Sequence, residues 1–193
     1  MSQLLSVEDF AIGNVKVQQT TPNFYTETVS GRVRSYSRGL HTLLFSFDVW
    51  LPYDHDVKKM NGFMLNCRGR LNPFVLDLGS SSEWFNPLTS PARRITLGAN
   101  AGVGQTNLVV VGSTVNISIG EYFQMPNDTK IYVVLNKSGQ NLEIFPPLLV
   151  AHKATETLNF ENPLPFLRIE KDNFTLDFDG RGKTISIEAK EVI

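Results

Sequence analysis

Three consecutive residues, Asp54, His55 and Asp56, are the closest approach in this sequence to a metal-binding or acid–base cluster. Side chains that are adjacent on a helix point in different directions, so these three cannot converge on one ion without a distant partner. Acidic residues at a helix start cap the helix and compensate its dipole, which accounts for both aspartates. The sequence therefore predicts no metal site and no cofactor.

Nucleophilic catalysis has no recognisable motif in this chain. No serine or cysteine lies in a Gly-X-Ser-X-Gly turn, and His41 and His152 are far apart in sequence. The glycine-rich stretch 98–104 lacks the Gly-Lys-Ser/Thr ending of a phosphate loop and precedes a strand, so it is interpreted as a mobile hairpin tip. The lone Cys67 is interpreted as a small buried residue on a helix. A small hydrolase with scattered catalytic residues is the least favoured functional class, and we predict that the protein is not an enzyme.

Aromatic side chains suggest a different chemistry, the binding of a sugar. Trp84, Phe85 and Tyr122 are the candidates for stacking on a glycan ring. Trp84 and Phe85 have an alternative role, because two adjacent aromatic residues between candidate domains also suit packing at the joint. If the three residues do bind sugar, the chain is a carbohydrate-binding module.

Four arginines are candidates for contacts with an acidic partner surface. Arg32 and Arg34 lie on a probable strand, and Arg68 and Arg70 follow the predicted helix. If these elements are neighbours, the four guanidinium groups form one basic patch that suits an acidic protein surface. The alternative is a solvated face whose arginines make local ion pairs.

Composition excludes several classes of protein. The formal net charge is −1 and 41% of the residues are hydrophobic, which provides a core and gives no electrostatic footprint for nucleic acid or an anionic membrane. Residues 1–10 are mixed in character, unlike a signal peptide, and no run of ~18 apolar residues is present to span a membrane. We expect a soluble protein that is made in a cytoplasm and does not insert into a membrane.

The elements that would position these residues are mostly strands. Apolar side chains alternate from 41 to 51, which predicts a half-buried strand long enough to contain a bend or a bulge. Asp54 can cap a helix over about 54–67. The apolar stripe of this helix consists of Val57, Met60, Met64 and Cys67. Residues 1–27 are expected to be irregular. Short strands are predicted at 73–78, 93–97, 106–111, 115–119, 130–135, 141–145, 174–179 and 183–188.

The distribution of charge along the chain indicates two domains. Residues 86–168 carry 11 charged side chains in 83 positions, whereas the last 25 residues carry 10. With prolines at both ends of the middle block, this shift predicts an inserted domain over 86–168. Residues 1–85 and 169–193 would form a β-sandwich-like outer domain with one α-helix. The five or six short strands of the insert suit a small OB-like β-barrel.

The order of several features resembles the distal tail proteins of siphophages, the long-tailed, non-contractile bacteriophages. The resemblance covers about residues 25–193. An arginine-rich segment precedes the long amphipathic strand, and the helix leads through an Arg-Gly-Arg into a short apolar strand. A Gly-Glu pair then precedes another strand, a hairpin follows, and two C-terminal apolar segments close the pattern. The residues concerned are Arg32, Arg34, Arg38, 63–70, Pro73-Phe74-Val75-Leu76, Gly120-Glu121, 132–147, 174–178 and 185–187.

The resemblance implies a non-enzymatic adaptor at the virion tail tip. In that family the outer domain assembles as a homohexameric ring, which joins the tail tube protein to the baseplate hub protein. The ring leaves a lumen through which DNA passes without specific binding. The inserted domain, often OB-like, projects outward and in some members is associated with host-surface glycans. The family defines no catalytic residues, so none is expected here.

Overall fold

The computed structural model describes residues 3–80, 82, 86, 94–115, 117–177 and 182–193. Within these residues the fold is mainly β with one α-helix, which confirms the fold class predicted from the sequence. The helix is α1 (Asp54–Cys67), and no helix in this part of the chain is long and apolar enough to cross a membrane. The strands are β1 (Gln3–Ser6), β2 (Ala11–Thr20), β3 (Asn23–Glu27), β4 (Val33–Ser37), β5 (Thr42–Leu51), β6 (Phe74–Asp77), β7 (Thr96–Leu97), β8 (Asn107–Val111), β9 (Tyr122–Gln124), β10 (Ile131–Ser138), β11 (Asn141–Phe145), β12 (Phe166–Ile169) and β13 (Lys183–Glu191).

Six strands form one mixed sheet in the order β1-β6-β12-β13-β5-β2, in which β1 and β6 are parallel and the other neighbours antiparallel. Residues 7–10 alone connect the two edge strands, β1 and β2. That connection spans at most about 18 Å, whereas the edges of a flat six-stranded sheet lie roughly 24 Å apart. The sheet is therefore curled. We call this sheet and α1 the first β unit.

Strand β5 and helix α1 supply much of the core of the first β unit. Alternate residues of β5 are buried, and so is the whole predicted stripe of α1, so both elements and their registers are confirmed. The buried side chains belong to one hydrophobic cluster. From β5 and α1 this cluster contains Leu43, Phe45, Phe47, Val49, Leu51, Val57, Met60, Phe63, Met64 and Cys67.

The prediction that residues 1–27 are irregular is wrong, because β1, β2 and β3 lie there. Strand β2 pairs with β5, yet nearly all of its side chains are exposed. An edge strand that faces water on both sides shows no apolar alternation, so hydrophobic periodicity does not reveal it. The bulge expected in the long strand lies in β2, between Gly13 and Lys16. There Asn14 adopts a positive φ of 51° and donates from Nδ2 to Asp48 Oδ2 at 2.8 Å.

The start of α1 differs from the prediction by one residue. Tyr53 is the N-cap, and its backbone N–H donates to Asp56 Oδ2 at 3.2 Å. Asp54 is the first helical residue rather than the cap. Both aspartates lie in the first turn, where the positive end of the helix dipole favours acidic side chains.

Gly62 lowers the stability of α1, although nothing around this position requires a glycine. It lies in the helix interior, and a methyl group in its place would meet no atom within 4 Å. We therefore expect Gly62→Ala to raise the free energy of unfolding by up to about 1 kcal/mol, measured by urea denaturation. Gly69→Ala is the contrasting variant, because Gly69 has φ +61° and a Cβ there would lie 2.8 Å from the Asp172 Cα atom. A loss of stability in Gly62→Ala would contradict the assignment of this position to an open helix face.

A second, five-stranded sheet has the order β7-β8-β11-β10-β9. Its two edges are joined by residues 157–159, since Thr96 bridges to Thr157 and Gln124 to Asn159. The curled sheet is thereby closed into a small barrel-like body with a separate hydrophobic cluster, which we call the second β unit. That cluster consists of Ile95, Leu97, Ala101, Leu108, Val110, Ile117, Phe123, Met125, Tyr132, Val134, Leu142, Ile144, Leu148, Leu158 and Phe160.

The division into domains at 85/86 and 168/169 stays a prediction. The two hydrophobic clusters fall on either side of this division, apart from Ile131 and Leu167, which belong to the cluster of the first β unit. Strand β12 pairs with both β13 and β6. A boundary between 168 and 169 would therefore cut a strand of the six-stranded sheet.

Two predicted strands are not strands in the structure. Alternation of Val115, Ile117 and Ile119 suggested one over 115–119, but the backbone turns there, with Ile117 N donating to Thr114 O at 3.1 Å. Ile117 is buried, whereas Val115 and Ile119 are exposed, so the three apolar residues do not form one buried face of a strand. Residues 174–177 pair with no strand, and 178–179 lie outside the described residues.

Candidate functional site

The hairpin formed by β3 and β4 is the most exposed element of the described chain. Every residue of both strands is exposed, and the two strands pair with each other as a separate two-stranded sheet. The turn between them is held by Thr28, whose N–H donates to Arg32 O at 2.9 Å and whose Oγ1 accepts from Arg32 N at 3.1 Å. The sequence thus specifies a hairpin but provides no core beneath it.

One face of this hairpin combines aromatic and cationic side chains. Phe24 lies opposite Tyr36, and Thr26 lies opposite Arg34, so these four side chains share a face. Phe24 is 60% and Tyr36 62% exposed. The Arg38 guanidinium lies 5.0 Å from the centre of the Phe24 ring, a cation–π arrangement. We call Phe24, Thr26, Arg34, Tyr36 and Arg38 the hairpin face.

The four candidate arginines occupy two separate elements. Arg32 closes the hairpin turn and Arg34 lies on β4, whereas Arg68 and Arg70 follow the last turn of α1. Arg70 is held locally, since its Nε donates to Glu170 O at 2.6 Å and its N–H to Asp172 Oδ1 at 3.1 Å. Among the described residues, no hydrogen bond or ion pair joins the two pairs. Their role in partner contacts stays a prediction.

Of the three candidate glycan-stacking residues, Trp84 and Phe85 lie outside the described residues. Tyr122 begins β9, is half-buried and packs against the cluster of the first β unit. Its hydroxyl accepts a hydrogen bond of 2.6 Å from Gln19 Nε2 on β2. Burial raises the pKa of Tyr122, and the bond from Gln19 opposes that rise. Tyr122 thus joins the two β units.

A buried ion pair lies at the same joint. Lys130 is 0% and Glu191 4% exposed, and the ammonium of Lys130 donates to the Glu191 carboxylate. Lys130 Nζ also donates to His41 O at 2.9 Å. The carboxylate accepts two further bonds, from Leu43 N at 3.2 Å and from Ile131 N at 2.9 Å. Burial lowers the pKa of Lys130, and the charge of Glu191 opposes that effect.

Asp128 extends the polar cluster into the second β unit. Its Oδ1 accepts from Lys130 N at 2.9 Å and its Oδ2 from the Tyr132 hydroxyl at 2.6 Å. Burial and the bond to Asp128 raise the pKa of Tyr132. His152 Nε2 lies 3.6 Å from Asp128 Oδ2, and its Nδ1 lies 2.8 Å from Glu156 Oε2. These groups hold one another in place by hydrogen bonds and ion pairs.

His41 is buried beside the ion pair. Its Nε2 lies 3.2 Å from Gln19 Oε1, and its ring meets the edge of Phe145 at a centroid distance of 5.3 Å. Because Gln19 donates from Nε2 to Tyr122, it presents its oxygen to His41, and the proton of the neutral imidazole therefore lies on Nε2. Burial, together with the charge of Lys130, lowers the pKa of His41 to about 4.

The remaining candidates from the sequence have local structural roles. His55 stacks on Tyr53, and among the described residues no group of three or more His, Cys, Asp or Glu side chains is placed to hold a metal ion. Cys67 is buried, as predicted, and burial raises the pKa of its thiol to about 11. The glycine-rich stretch connects β7 to β8, but it is not a free tip. Its backbone is bonded to Val109, His152 and Leu148.

An open cleft of ≈ 700 Å³ lies between the turn after β9 and residues 157–166. Two amide side chains that line it, those of Gln124 and Asn159, are hydrogen-bonded to the protein backbone. Gln124 Nε2 donates to the carbonyls of Asp128 and Leu164, and its Oε1 accepts from Leu164 N. Asn159 is bonded in the same reciprocal way to the backbone of Asn162. These side-chain amides therefore stabilise residues 159–164, the segment through which the chain leads back to the first β unit.

Sequence reasoning missed the buried ion pair, although a signal for one partner is present. Ile185, Ile187 and Ala189 alternate toward the buried face of β13, and Glu191 is the next residue in that register. An acidic side chain at an inward position of a strand predicts a buried partner. No local pattern marks Lys130 as that partner.

No protein-family model matches this sequence, and no curated protein is significantly similar to it.

Proposed function

We propose that this chain is a structural protein of a phage tail tip, a distal tail adaptor whose copies form a hexameric ring. The ring joins the tail tube protein to the baseplate hub protein, and DNA passes through its lumen without specific binding. The observation that carries the proposal is the β3–β4 hairpin, in which every strand residue is exposed.

An isolated two-stranded hairpin is at best marginally stable in water. This one exposes two aromatic rings on the hairpin face, and among the described residues no other strand pairs with either of its outer edges. A surface of this kind gains stability when another protein covers it. Assembly would provide that cover, because each copy of a ring meets its neighbours through repeated contacts.

The charge of the hairpin favours a second copy as the covering partner. Residues 23–38 carry three arginines against one glutamate, although the whole chain has a formal net charge of −1. The rest of the chain is therefore net acidic, and a neighbouring copy offers the hairpin an oppositely charged surface. A near-neutral chain also suits a lumen through which DNA moves without being held.

Sedimentation velocity and negative-stain electron microscopy of the purified protein test this proposal. We expect six-fold rings, or monomers that form rings when the tail tube or hub protein is added. A protein that stays monomeric with both partners and binds glycans in an array screen would support the alternative, a carbohydrate-binding module for host attachment. In that case the ring adaptor is ruled out.

Reversing two charges at the hairpin tests its place in the ring. Arg32→Glu with Arg34→Glu should leave the monomer folded, because exposed charges rarely change stability by more than ~0.5 kcal/mol. The double variant should nevertheless form rings less readily. We expect the protein concentration required for ring formation, measured by sedimentation, to rise at least tenfold. The matched control is Lys58→Glu with Lys153→Glu, which makes the same change in net charge at exposed positions outside the hairpin. Normal assembly of the hairpin variant would show that these arginines are a solvated face.

A further inference from the structure

The joint between the two β units is closed by groups from three parts of the chain. Lys130 and Ile131 approach from the second β unit, and both bond to the Glu191 carboxylate on β13. Leu43 N, at the start of β5, bonds to the same carboxylate. Glu191 therefore holds the two β units together, and any change that moves Lys130 or the start of β5 breaks this connection.

His41 occupies the position from which such a movement would begin. Its carbonyl accepts a hydrogen bond from Lys130 Nζ, and it is followed directly by β5. Its side chain is enclosed by Gln19 from β2 and Phe145 from β11. The charged or titratable groups on this side of the joint are the Tyr122 hydroxyl behind Gln19, the Lys130 ammonium, and the carboxylates of Asp128 and Glu191 that flank Lys130.

A second proton on His41 would have no favourable place in this arrangement. The Nε2 proton already faces Gln19, so the added proton would lie on Nδ1. That atom is buried and has no hydrogen-bond partner among the residues that the structure describes. An unpaired buried N–H is unfavourable, and so is a new positive charge close to Lys130. Both costs disappear when the His41 imidazole moves into water.

We propose that the joint is acid-labile, with His41 as its sensor. Protonation moves the His41 imidazole out of the joint and draws the His41 carbonyl away from Lys130. Lys130 and Ile131 then separate from Glu191. Neither hydrophobic cluster includes His41, Lys130 or Glu191. Ile131 is the one residue of this group whose side chain lies in the cluster of the first β unit, so we expect the rest of both clusters to stay folded when the joint loosens. The inference concerns a single copy of the chain and goes beyond its proposed role in a ring.

The sign of the pH dependence follows from the lowered pKa of His41. Above pH 6.5 the imidazole is neutral in both the closed and the open joint, and closure is fully favoured. As the pH falls from 6.5 toward 4, the exposed ring of the open joint binds a proton and the buried ring does not. Opening at pH 4.5 is then favoured on the order of 50- to 100-fold over opening at pH 7.5.

Hydrogen exchange measured by NMR on the full chain tests the proposal. The Ile131 amide reports on the separation of the two β units, because it donates to Glu191 across the joint, and the Leu43 amide reports on displacement of the start of β5 beside His41. The Val134 and Ile187 amides report on the two clusters. After correction for the intrinsic pH dependence of exchange, we expect joint protection to fall on the order of 50- to 100-fold between pH 7.5 and 4.5. Protection of the cluster amides should change far less. Equal losses at all four amides would mean global acid unfolding and would overturn the proposal.

Two variants identify the sensor. His41→Gln cannot take up the proton, so its joint amides should keep nearly the same protection at both pH values. His152→Gln, which alters the other buried histidine, should keep the wild-type response; a response abolished in this variant instead would overturn the proposal. If His41→Gln does not fold, the nitrogen-15 shifts of the wild-type imidazoles decide the question. They should show His41 protonated on Nε2 at pH 7 and titrating together with the loss of joint protection, and a His41 midpoint near 6.5 would overturn the proposal.

Discussion

Replacing Met60 with aspartate is expected to unfold the first β unit and abolish assembly, while the second β unit keeps its own melting transition. Met60 is 0% exposed and belongs to the cluster between α1 and the six-stranded sheet. A carboxylate at this position loses its hydration without gaining a partner, at a cost of several kcal/mol. Helix α1 cannot compensate for that loss, because a helix of this length with an internal glycine depends on its packing. Total stabilities are only about 5–15 kcal/mol, so a loss of this size removes much of the reserve.

Leu65→Asp is the matched control for Met60→Asp. Leu65 lies on the same helix and is 59% exposed, so its replacement should shift the free energy of unfolding by less than about 1 kcal/mol. Differential scanning calorimetry separates the two units, since the variant should lose one transition and retain the other. A wild-type melting profile for Met60→Asp would contradict the packing of α1 against the sheet. A single transition lost as a whole would instead show that the two units unfold together.

Replacing Lys130 with methionine should cost about 3–5 kcal/mol of unfolding free energy, which is typical when one partner of a buried ion pair is removed. Methionine fills most of the volume of the lysine stem, so the loss comes chiefly from the charge. The Glu191 carboxylate stays buried and keeps its bonds from Leu43 N and Ile131 N, but it has no cation beside it. Urea denaturation monitored by circular dichroism gives this value.

An exposed ion pair provides the control for the Lys130 variant. Lys171 and Glu188 lie 2.8 Å apart with side chains 63% and 47% exposed, and Lys171→Met should therefore cost at most about 1 kcal/mol. Adding Glu191→Gln to Lys130→Met should recover part of the loss, because the glutamine is uncharged and its oxygen still accepts from a backbone N–H. If Lys130→Met costs no more than Lys171→Met, the pair does not hold the joint.

Elements with a strong hydrophobic period were predictable from the sequence. The residues of β5 and α1 alternate or recur at helical spacing because one face of each element is buried, so both were found with the correct register. Strand β2 lies at an edge of the sheet, where the exposure of nearly all of its side chains removes the alternation. Strand β1, at the other edge, has only four residues, too few to show a period. The β-ladder of an edge strand depends on its neighbour, and no local pattern contains that information.

The candidate site was only partly predictable. Arg32 and Arg34 are candidates for partner contacts on the basis of sequence, and that role stays a prediction. Their placement beside Phe24 and Tyr36 depends on how β3 pairs with β4, which the sequence pattern does not reveal. The buried joint was not predicted, because its groups come from distant parts of the chain. Lys130 and Glu191 are 61 positions apart, and Leu43 and Glu191 are 148 apart. Such a cluster exists only after the strands have taken their places.

The place of β13 in the sheet has a consequence for the order in which the chain can fold as it is synthesised. Strand β13 follows all the other described strands in the chain, yet it lies inside the sheet, between β12 and β5. Until residues 183–191 leave the ribosome, β1-β6-β12 and β5-β2 are two separate pieces with no ladder between them. The strands of the second β unit are all available by then, and domains generally fold as units during synthesis. The nascent first β unit therefore completes its sheet last, when β13 joins the two pieces. The same step places Glu191 beside Lys130, which has already been synthesised.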